Sequence, residues 1–104
     1  MKIITRDTSS RICKSKHIFL RENPSLKKLF KKLQKKQIRN IDDIQDKKIK
    51  NQIRKIMAET EVEWHFNPGD IPYMTFTNHI PMQGNFEKAI PKILKKLKLL
   101  DKMR

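Results

Sequence analysis

The fold of this chain depends most on residues 61–81, which read EVEWHFNPGDIPYMTFTNHIP. This stretch holds the only Trp and the only Tyr of the chain, two of its three His, three of its five Pro and one of its two Gly. The segments on either side consist largely of Lys, Ile, Leu, Gln and Asn. A specific, irregular shape is therefore encoded in the central stretch, and the flanks supply helices and charge.

The central stretch is predicted to form a rigid extended segment. Val62, Trp64 and Phe66 alternate as in a half-buried strand, and Pro68 opens a turn with the Gly and Asp that follow it. Each Pro also fixes a backbone angle and removes an N–H donor. We expect Trp64 and Tyr73 to pack against other residues. The residues predicted to dock on protein neighbours are Trp64, His65, Asp70, Pro72, Tyr73 and Pro81.

Two basic amphipathic helices are predicted over residues 23–59. Asn23 is suited to cap the first helix and Pro24 to occupy its first position. Its apolar stripe comprises Leu26, Leu29, Phe30 and Leu33. Asn40 can cap the second helix, whose first turn then carries two acids. Its stripe comprises Ile41, Ile44, Ile49, Ile53, Ile56 and Met57. Because few residues separate the two helices, we expect them to pair as a hairpin.

The two ends of the chain are predicted to differ. Residues 1–22 show no sustained apolar period and are interpreted as a basic extended arm that lies on RNA or on a neighbour. Residues 84–104 are predicted to form a basic C-terminal helix, with Ile90, Ile93, Leu94, Leu97 and Leu100 as its apolar face. The docking segment of residues 60–83 then joins helices on both sides. The fold class is predicted to be mainly α.

Length and composition set further limits. A chain of 104 residues forms at most one domain. Its apolar fraction of 37% is low and its net charge of +14 is high, so we expect little independent core and a need for partners. No run of about 18 apolar residues occurs, which argues against a spanning helix. The single Cys forbids an internal disulfide and fits a reducing or organellar interior.

The charge indicates a polyanionic partner, since 25 Lys and Arg stand against 11 acids. Lysines repeat along one face of the first helix, where like charges at i,i+4 repel until an anion neutralises them. The residues predicted to contact RNA phosphates are Lys27, Lys28, Lys31, Lys32, Lys35, Lys36, Arg39, Lys95 and Lys96. Aromatics can stack on unpaired bases if they are exposed, and the candidates are Trp64, Phe66, Tyr73 and Phe76.

Catalytic and metal sites find less support in the sequence. Cys13 and His17 lie four residues apart, but structural zinc requires four ligands and only this pair has suitable spacing. His65 and His79 could serve a small ribonuclease, yet no phosphate loop or nucleophile motif accompanies them. We therefore predict no metal, no cofactor, no small-molecule substrate and no enzymatic activity. Membrane association is not expected, because the basic C-terminal helix lacks strong aromatic anchors.

A series of features in the central stretch follows the order seen in a known family. These features are the pair Trp64-His65, the turn residue Pro68, the tetrapeptide Asp70-Ile71-Pro72-Tyr73, Thr75 or Thr77, and the closing Ile80-Pro81. In this order they resemble the central motif of the mitochondrion-specific large-subunit ribosomal protein family numbered forty-two. Met74 stands where that family has an acid, and the family tends to strands upstream, where this chain is predicted to have helices.

The resemblance implies a structural component of the large subunit of the mitochondrial ribosome, located in the matrix, with ribosomal RNA and neighbouring ribosomal proteins as partners. The first 20 residues are rich in Lys, Arg and Ser, with Asp7 as their single acid, which is also typical of an organellar transit peptide. Charge and helices leave a second possibility open. That alternative is a free-standing DNA- or RNA-binding regulator built on the helical hairpin.

Overall fold

The computed structural model describes residues 3–79 and 84–102, apart from the side chains of residues 79, 101 and 102. Three helices and four strands make up this part of the chain. In chain order they are β1 (Arg6–Ser9), β2 (Cys13–Phe19), α1 (Lys27–Lys35), α2 (Lys47–Thr60), β3 (Glu63–Asn67), β4 (Tyr73–His79) and α3 (Phe86–Lys98). Short 3₁₀ turns lie at Leu20–Glu22, Pro24–Leu26, Ile41–Asp43 and Leu99–Lys102.

The four strands form one antiparallel sheet in the order β1-β2-β4-β3. β3 and β4 form a hairpin, whose connection contains Gly69 at a φ of 137°, a backbone angle that L side chains rarely adopt. β2 and β4 are the central strands, although α1, α2 and β3 separate them in sequence. The sheet therefore joins distant parts of the chain.

One face of the sheet carries the core. Trp64 lies opposite Phe76, and Phe66 lies opposite Met74 in the β3–β4 pairing. Ile18 from β2 lies opposite Met74 on the other side of β4. All five side chains are buried. Because successive side chains of a strand point to opposite faces, the residues between them lie on the face that is away from the core.

The helices supply the other half of the core. Phe30 of α1 meets Phe66 of β3 edge to face, with ring centroids 5.4 Å apart and ring planes at 87°. The buried stripe residues are Leu26, Leu29, Phe30, Leu33, Ile44, Ile49, Ile53, Ile56, Ile90, Ile93, Leu94, Leu97 and Leu100. Ile41 and Met57 are partly buried against them. Burial of the residues of the three predicted stripes is confirmed, although Ile41 and Ile44 lie before α2 and not on it. Burial of each large side chain stabilises the fold by about 1.5–3 kcal/mol.

The prediction of a mainly α fold with little independent core is wrong, because the protein has an α+β fold. The central stretch forms the hairpin of β3 and β4, and the expected extended arm forms β1 and β2. The described residues include 21 buried apolar side chains in one cluster. Strand pairing makes this core possible, because it satisfies the backbone groups while alternate side chains face the helices.

The predicted hairpin of two helices is also wrong. α2 packs along α3 instead of pairing with α1. The chain between α1 and α2 runs beside the edge of the sheet, where the N–H of Phe66 donates to the C=O of Arg39 at 2.7 Å and Asn40 forms a bridge with His65. This segment covers part of the edge that β3 would otherwise leave open.

Asn23 has a different role from the predicted cap. No side-chain hydrogen bond from Asn23 caps the turn that follows it. Its side chain is buried and holds the segment before β1: the N–H of Ile4 donates to Oδ1 at 2.8 Å, and Nδ2 donates to the C=O groups of Ile4 at 2.9 Å and Phe19 at 3.0 Å. The start of the chain is thereby tied to the end of β2.

The second predicted cap begins a shorter element than expected. Asn40 caps the 3₁₀ turn Ile41–Asp43 in a capping box. The side chain of Asn40 accepts a hydrogen bond from the N–H of Asp43, and the carboxylate of Asp43 accepts one from the N–H of Asn40. The chain then leaves helical geometry, and α2 begins after Asp46, whose carboxylate accepts a hydrogen bond from the N–H of Ile49 at 2.9 Å. The second helix thus starts seven residues later than Asn40.

Candidate nucleic-acid interface

α1 presents lysines to solvent because its apolar stripe is turned toward the core. The exposed ones are Lys27, Lys28, Lys31 and Lys35, followed by Lys36 just after the helix, and Lys32 is half-buried. No acid occurs in the sequence between Glu22 and Asp42. Lys27 and Lys28 also begin the helix, where the helix dipole disfavours cations. We call the exposed set, Lys27, Lys28, Lys31, Lys35 and Lys36, the lysine face. These side chains repel one another, and phosphate groups would relieve that repulsion.

A second basic surface lies between α2 and α3. A groove of about 410 Å³ runs between these helices, and its charged lining residues are Lys55, Glu59, Lys92, Lys95 and Lys96. Four cations therefore face one carboxylate. Lys95 and Lys96 were predicted to bind RNA together with the lysines of α1, but they belong to this separate basic groove.

Arg39 projects from a rigid piece of backbone just after α1. Its N–H donates to Oδ2 of Asp43 at 2.8 Å, and its C=O accepts the hydrogen bond from Phe66 on β3. Its side chain is exposed. Of the nine residues predicted to contact phosphate, seven thus lie between residues 27 and 39 and two lie in the basic groove.

The aromatic residues of the central stretch are divided between the two faces of the sheet. Trp64 is fully buried, which confirms that it packs, and its indole has no surface to offer a protein neighbour or a base. Phe66 and Phe76 are also in the core and cannot stack on bases. Tyr73 is half-buried and His65 is exposed, both on the face away from the helices. Of the four stacking candidates, only Tyr73 reaches the surface.

The remaining predicted docking residues lie around the β3–β4 connection. Asp70 is exposed in that connection. Pro72 is half-buried, and its C=O accepts a hydrogen bond from the N–H of Leu20 at 3.1 Å, which fixes the connection to the end of β2. Pro81 lies outside the described residues. The predicted docking residues therefore do not form one surface.

The sheet face that points away from the helices is open to solvent. We call this surface the outer face; by strand register it carries Arg6, Thr8, Cys13, Ser15, His17, Phe19, Glu63, His65, Asn67, Tyr73, Thr75 and Thr77. All of them are exposed or half-buried. Lys16 of β2 lies on the opposite face, where its Nζ pairs with Oδ1 of Asp7 at 2.9 Å and lies 5.7 Å from the ring centroid of Phe86.

Three aromatic rings meet on the outer face, and we call His17, Phe19 and Tyr73 the aromatic trio. The ring centroid of Tyr73 lies 5.3 Å from that of His17 and 5.1 Å from that of Phe19. His17 and Phe19 meet edge to face at 6.1 Å. The guanidinium carbon of Arg21 lies 5.5 Å from the ring centroid of Phe19. Sequence reasoning missed this surface, because the core side of β2 carries Lys14 and Lys16 beside Ile18 and so gives no apolar alternation.

An ion pair fixes one side of the outer face. Arg6 of β1 lies opposite His17, and its Nε donates to Oε1 and Oε2 of Glu22 at 3.1 and 2.8 Å. The hydrogen bond from Arg6 holds the pKa of the Glu22 carboxyl below its usual value, and the same contact raises the pKa of Arg6. The pair therefore stays ionised and links β1 to the turn that follows β2.

The histidines do not converge on one point. His65 pairs with Thr75 of β4, and His79 lies four residues further along that strand, so their Cα atoms are about 14 Å apart at a rise of about 3.4 Å per residue. A general acid and a general base must reach the same substrate group, and this separation does not support such a pair. The side chain of His79 lies outside the described set.

Metal binding and membrane insertion find no support in the described residues either. Cys13 and His17 lie on one strand with about 13 Å between their Cα atoms, too far for one metal ion. Within residues 3–79 and 84–102, no group of three or more His, Cys, Asp or Glu side chains is placed to hold a metal. No helix of that part is long and apolar enough to cross a bilayer.

Comparison of the chain with models of known protein families, with curated proteins and with solved structures finds no match. The resemblance of residues 61–81 to the mitochondrial ribosomal family therefore stays a prediction. The function is inferred from the geometry and the charge of the surfaces described above.

Proposed function

We propose that this protein is a non-enzymatic, RNA-binding structural component of a ribonucleoprotein. The observation that supports the proposal most directly is the lysine face of α1. Its lysines project from one helix, and the nearest acids in sequence, Glu22 and Asp42, lie outside this face. Glu22 is already paired with Arg6, and Asp42 with Arg54 at 3.0 Å. A phosphate backbone is the partner that such a face attracts by releasing counterions.

The ribonucleoprotein that we propose is the large subunit of the mitochondrial ribosome, with ribosomal RNA and adjacent ribosomal proteins as partners. The motif of residues 61–81 supports this assignment. The strands β1 and β2 agree with the tendency of the resembling family to strands upstream of its motif, and α1 and α2, which lie between these strands and the motif, remain a departure from it. The alternative of a regulator built on a helical hairpin loses its structural basis, since α1 and α2 do not form one.

RNA binding through the lysine face is tested by the salt dependence of affinity. We expect the variant K27Q/K28Q/K31Q/K35Q to bind a labelled single-stranded RNA more weakly and with a shallower salt slope. Each lost phosphate contact removes about 0.7 from the slope of log K against log salt concentration. Fluorescence anisotropy from low to moderate salt measures both quantities.

The matched control neutralises four exposed lysines that lie outside this face, as K14Q/K47Q/K48Q/K98Q. It removes the same net charge but should retain most of the slope. Equal losses in the two variants would show that charge acts without a defined site. A wild-type affinity that does not respond to salt would refute the RNA-binding proposal itself.

The ribosomal assignment needs a different experiment. A tagged copy expressed in cells of the source organism is expected to sediment with the large mitochondrial subunit in a sucrose gradient, and to move with that subunit when low magnesium separates the two subunits. Recovery only in light fractions, from cells whose ribosomes are intact, would contradict the ribosomal assignment while leaving RNA binding to be judged by the salt slope.

A further inference from the structure

We propose that the outer face of the sheet binds unpaired bases of single-stranded RNA, which stack on the aromatic trio of His17, Phe19 and Tyr73. This inference rests on the proposed function, because it specifies the form of the RNA and the place where its bases lie. Lysines contact phosphates of single and double strands alike. Bases need a surface of their own, and the outer face supplies it.

The trio lies on the two central strands, at the end of the sheet where β2 finishes and β4 begins. Phe19 lies directly opposite Tyr73, and His17 lies two residues along β2 on the same face. The three rings therefore form one continuous surface, with centroids 5.1 to 6.1 Å apart. Each strand beneath them is hydrogen-bonded on both sides, which makes the platform rigid. Aromatics placed on a four-stranded sheet are a known way to stack RNA bases.

The exposure of the trio requires an explanation, because four of the other five Phe and Trp rings are buried and the fifth, Phe86, is packed in part against the core. Phe30, Trp64, Phe66 and Phe76 are each at most 2% exposed. The rings of the trio are instead half-buried on the opposite face, outside the core cluster. A cluster of apolar side chains that is exposed to solvent often marks an interaction site. Base stacking would remove this surface from water.

The groups around the trio favour an anionic, planar ligand over an apolar protein surface. Arg21 lies over Phe19, where a guanidinium can stack on a base or contact a phosphate. The carboxylate of Glu22 is engaged by Arg6 and is less available to repel a phosphate. Hydroxyl and amide groups border the rings, and Thr75 accepts a hydrogen bond from Nδ2 of Asn67 at 3.3 Å. Such groups suit the polar edges of bases.

The experiment compares single-stranded and double-stranded RNA on matched variants. We expect F19A and Y73A each to lower the affinity for a uridine-rich strand of about 12 nucleotides by about fivefold to about a hundredfold. This is the loss expected when the aromatic side chain on which a base stacks is replaced by Ala. Affinity for a duplex of equal length and the salt slope should stay at the wild-type values.

Y73F retains a ring and should bind as the wild type does. T77A, on the same face without a ring, is the control for surface changes.

Three outcomes separate this inference from the proposed function. If folded F19A and Y73A bind single strands as tightly as the wild type, the base-stacking site is wrong, while the steep salt slope still supports RNA binding. If both variants weaken single and double strands equally, the site is also wrong. If the wild type binds no RNA, the proposed function fails and this inference fails with it.

A second measurement does not depend on the variants folding. RNA that contains 4-thiouridine is crosslinked by light to the unmodified protein, and the modified peptides are identified by mass spectrometry. Crosslinks at residues 17–19 and at Tyr73 are expected. Crosslinks confined to α1 and the basic groove, or a protein partner that occupies the outer face and excludes single-stranded RNA, would overturn the inference.

Discussion

Asn23 joins three parts of the chain through one buried amide. Its oxygen accepts the N–H of Ile4, and its nitrogen donates to the C=O groups of Ile4 and Phe19. A buried amide of this kind stabilises a structure only while its partners are present, because each group left unpaired costs about 1–3 kcal/mol. The residue thus connects the segment before β1 to the end of β2, next to the aromatic trio.

Replacement of Asn23 by Ala should lower the stability of the protein more than the loss of one small side chain would suggest. The change leaves three backbone groups without their partner, and we expect the free energy of unfolding to fall by about 2–4 kcal/mol. Urea unfolding measures this quantity, and amide exchange should show the loss concentrated in β1. The exposed Asn51 of α2 gives the control, since N51A should change stability by less than about 0.5 kcal/mol. A similarly small effect for N23A would contradict the assigned role.

At the scale of elements, sequence patterns gave the helices and missed most of the sheet. α1, α2 and α3 each bury one stripe, so a period of 3.6 residues identifies them. β3 also follows its pattern, because Trp64 and Phe66 alternate with exposed neighbours. β2 does not, since its core-side residues are Lys14, Lys16 and Ile18, and Lys16 is accommodated there by Asp7. A strand with two lysines on its inner side has no apolar alternation to detect.

The candidate site was predictable to a similar extent. The lysine face could be located from spacing alone, because a helix fixes which residues share a side. The aromatic trio could not, since His17 and Phe19 meet Tyr73 only through the pairing of β2 with β4, and strand pairing across half the chain has no local sequence signature. The cap at Asn23 was misassigned for a related reason, because its amide binds distant backbone groups and not the local turn.

The ion pair of Arg6 and Glu22 predicts a pH dependence for the attachment of β1. The pKa of Glu22 is lower in the folded protein than its ordinary value of 4.5. The pair therefore stabilises the fold fully above that value, and its contribution is lost as the pH falls through the lowered pKa. We expect the stability difference between wild type and E22Q to be constant near neutral pH and to shrink as the pH falls below 4.5 and through the lowered pKa of Glu22.

Urea unfolding across this pH series measures the difference. E61Q, at an exposed side chain just after α2, controls for the removal of one negative charge from a strongly basic protein. A difference between wild type and E22Q that does not change with pH would mean that the ion pair contributes nothing to stability.

At the scale of the whole molecule, charge and aromatic surface occupy different sides. The solvent faces of the helices carry the lysines, and the outer face of the sheet carries the trio. The core between them is self-contained, with buried side chains from all three helices and from three strands. We therefore expect the fold to form without partners, despite a net charge of +14.

The purified protein should accordingly fold without RNA. Trp64 is the only Trp and is fully buried, so its emission should lie at short wavelength and shift to long wavelength in one cooperative transition. We expect a free energy of unfolding of about 5–10 kcal/mol. Added salt should raise it by screening the self-repulsion of the lysines. W64F, which lacks the fluorophore, identifies any signal from Tyr73. An emission spectrum of exposed Trp before denaturation would show that the core does not form alone.

The pairing of β2 with β4 also sets the order in which this protein matures during synthesis. The hydroxyls of Ser15 and Thr77 are 3.1 Å apart, yet 62 positions separate the two residues in the chain. At a translation rate of about 5–20 residues per second, β2 waits about 3–12 seconds for its partner strand to be made. The lysines of α1 are synthesised within that interval, but the aromatic trio cannot assemble. If the lysine face and the outer face bind RNA as proposed, a nascent chain can meet phosphate before it can recognise a base.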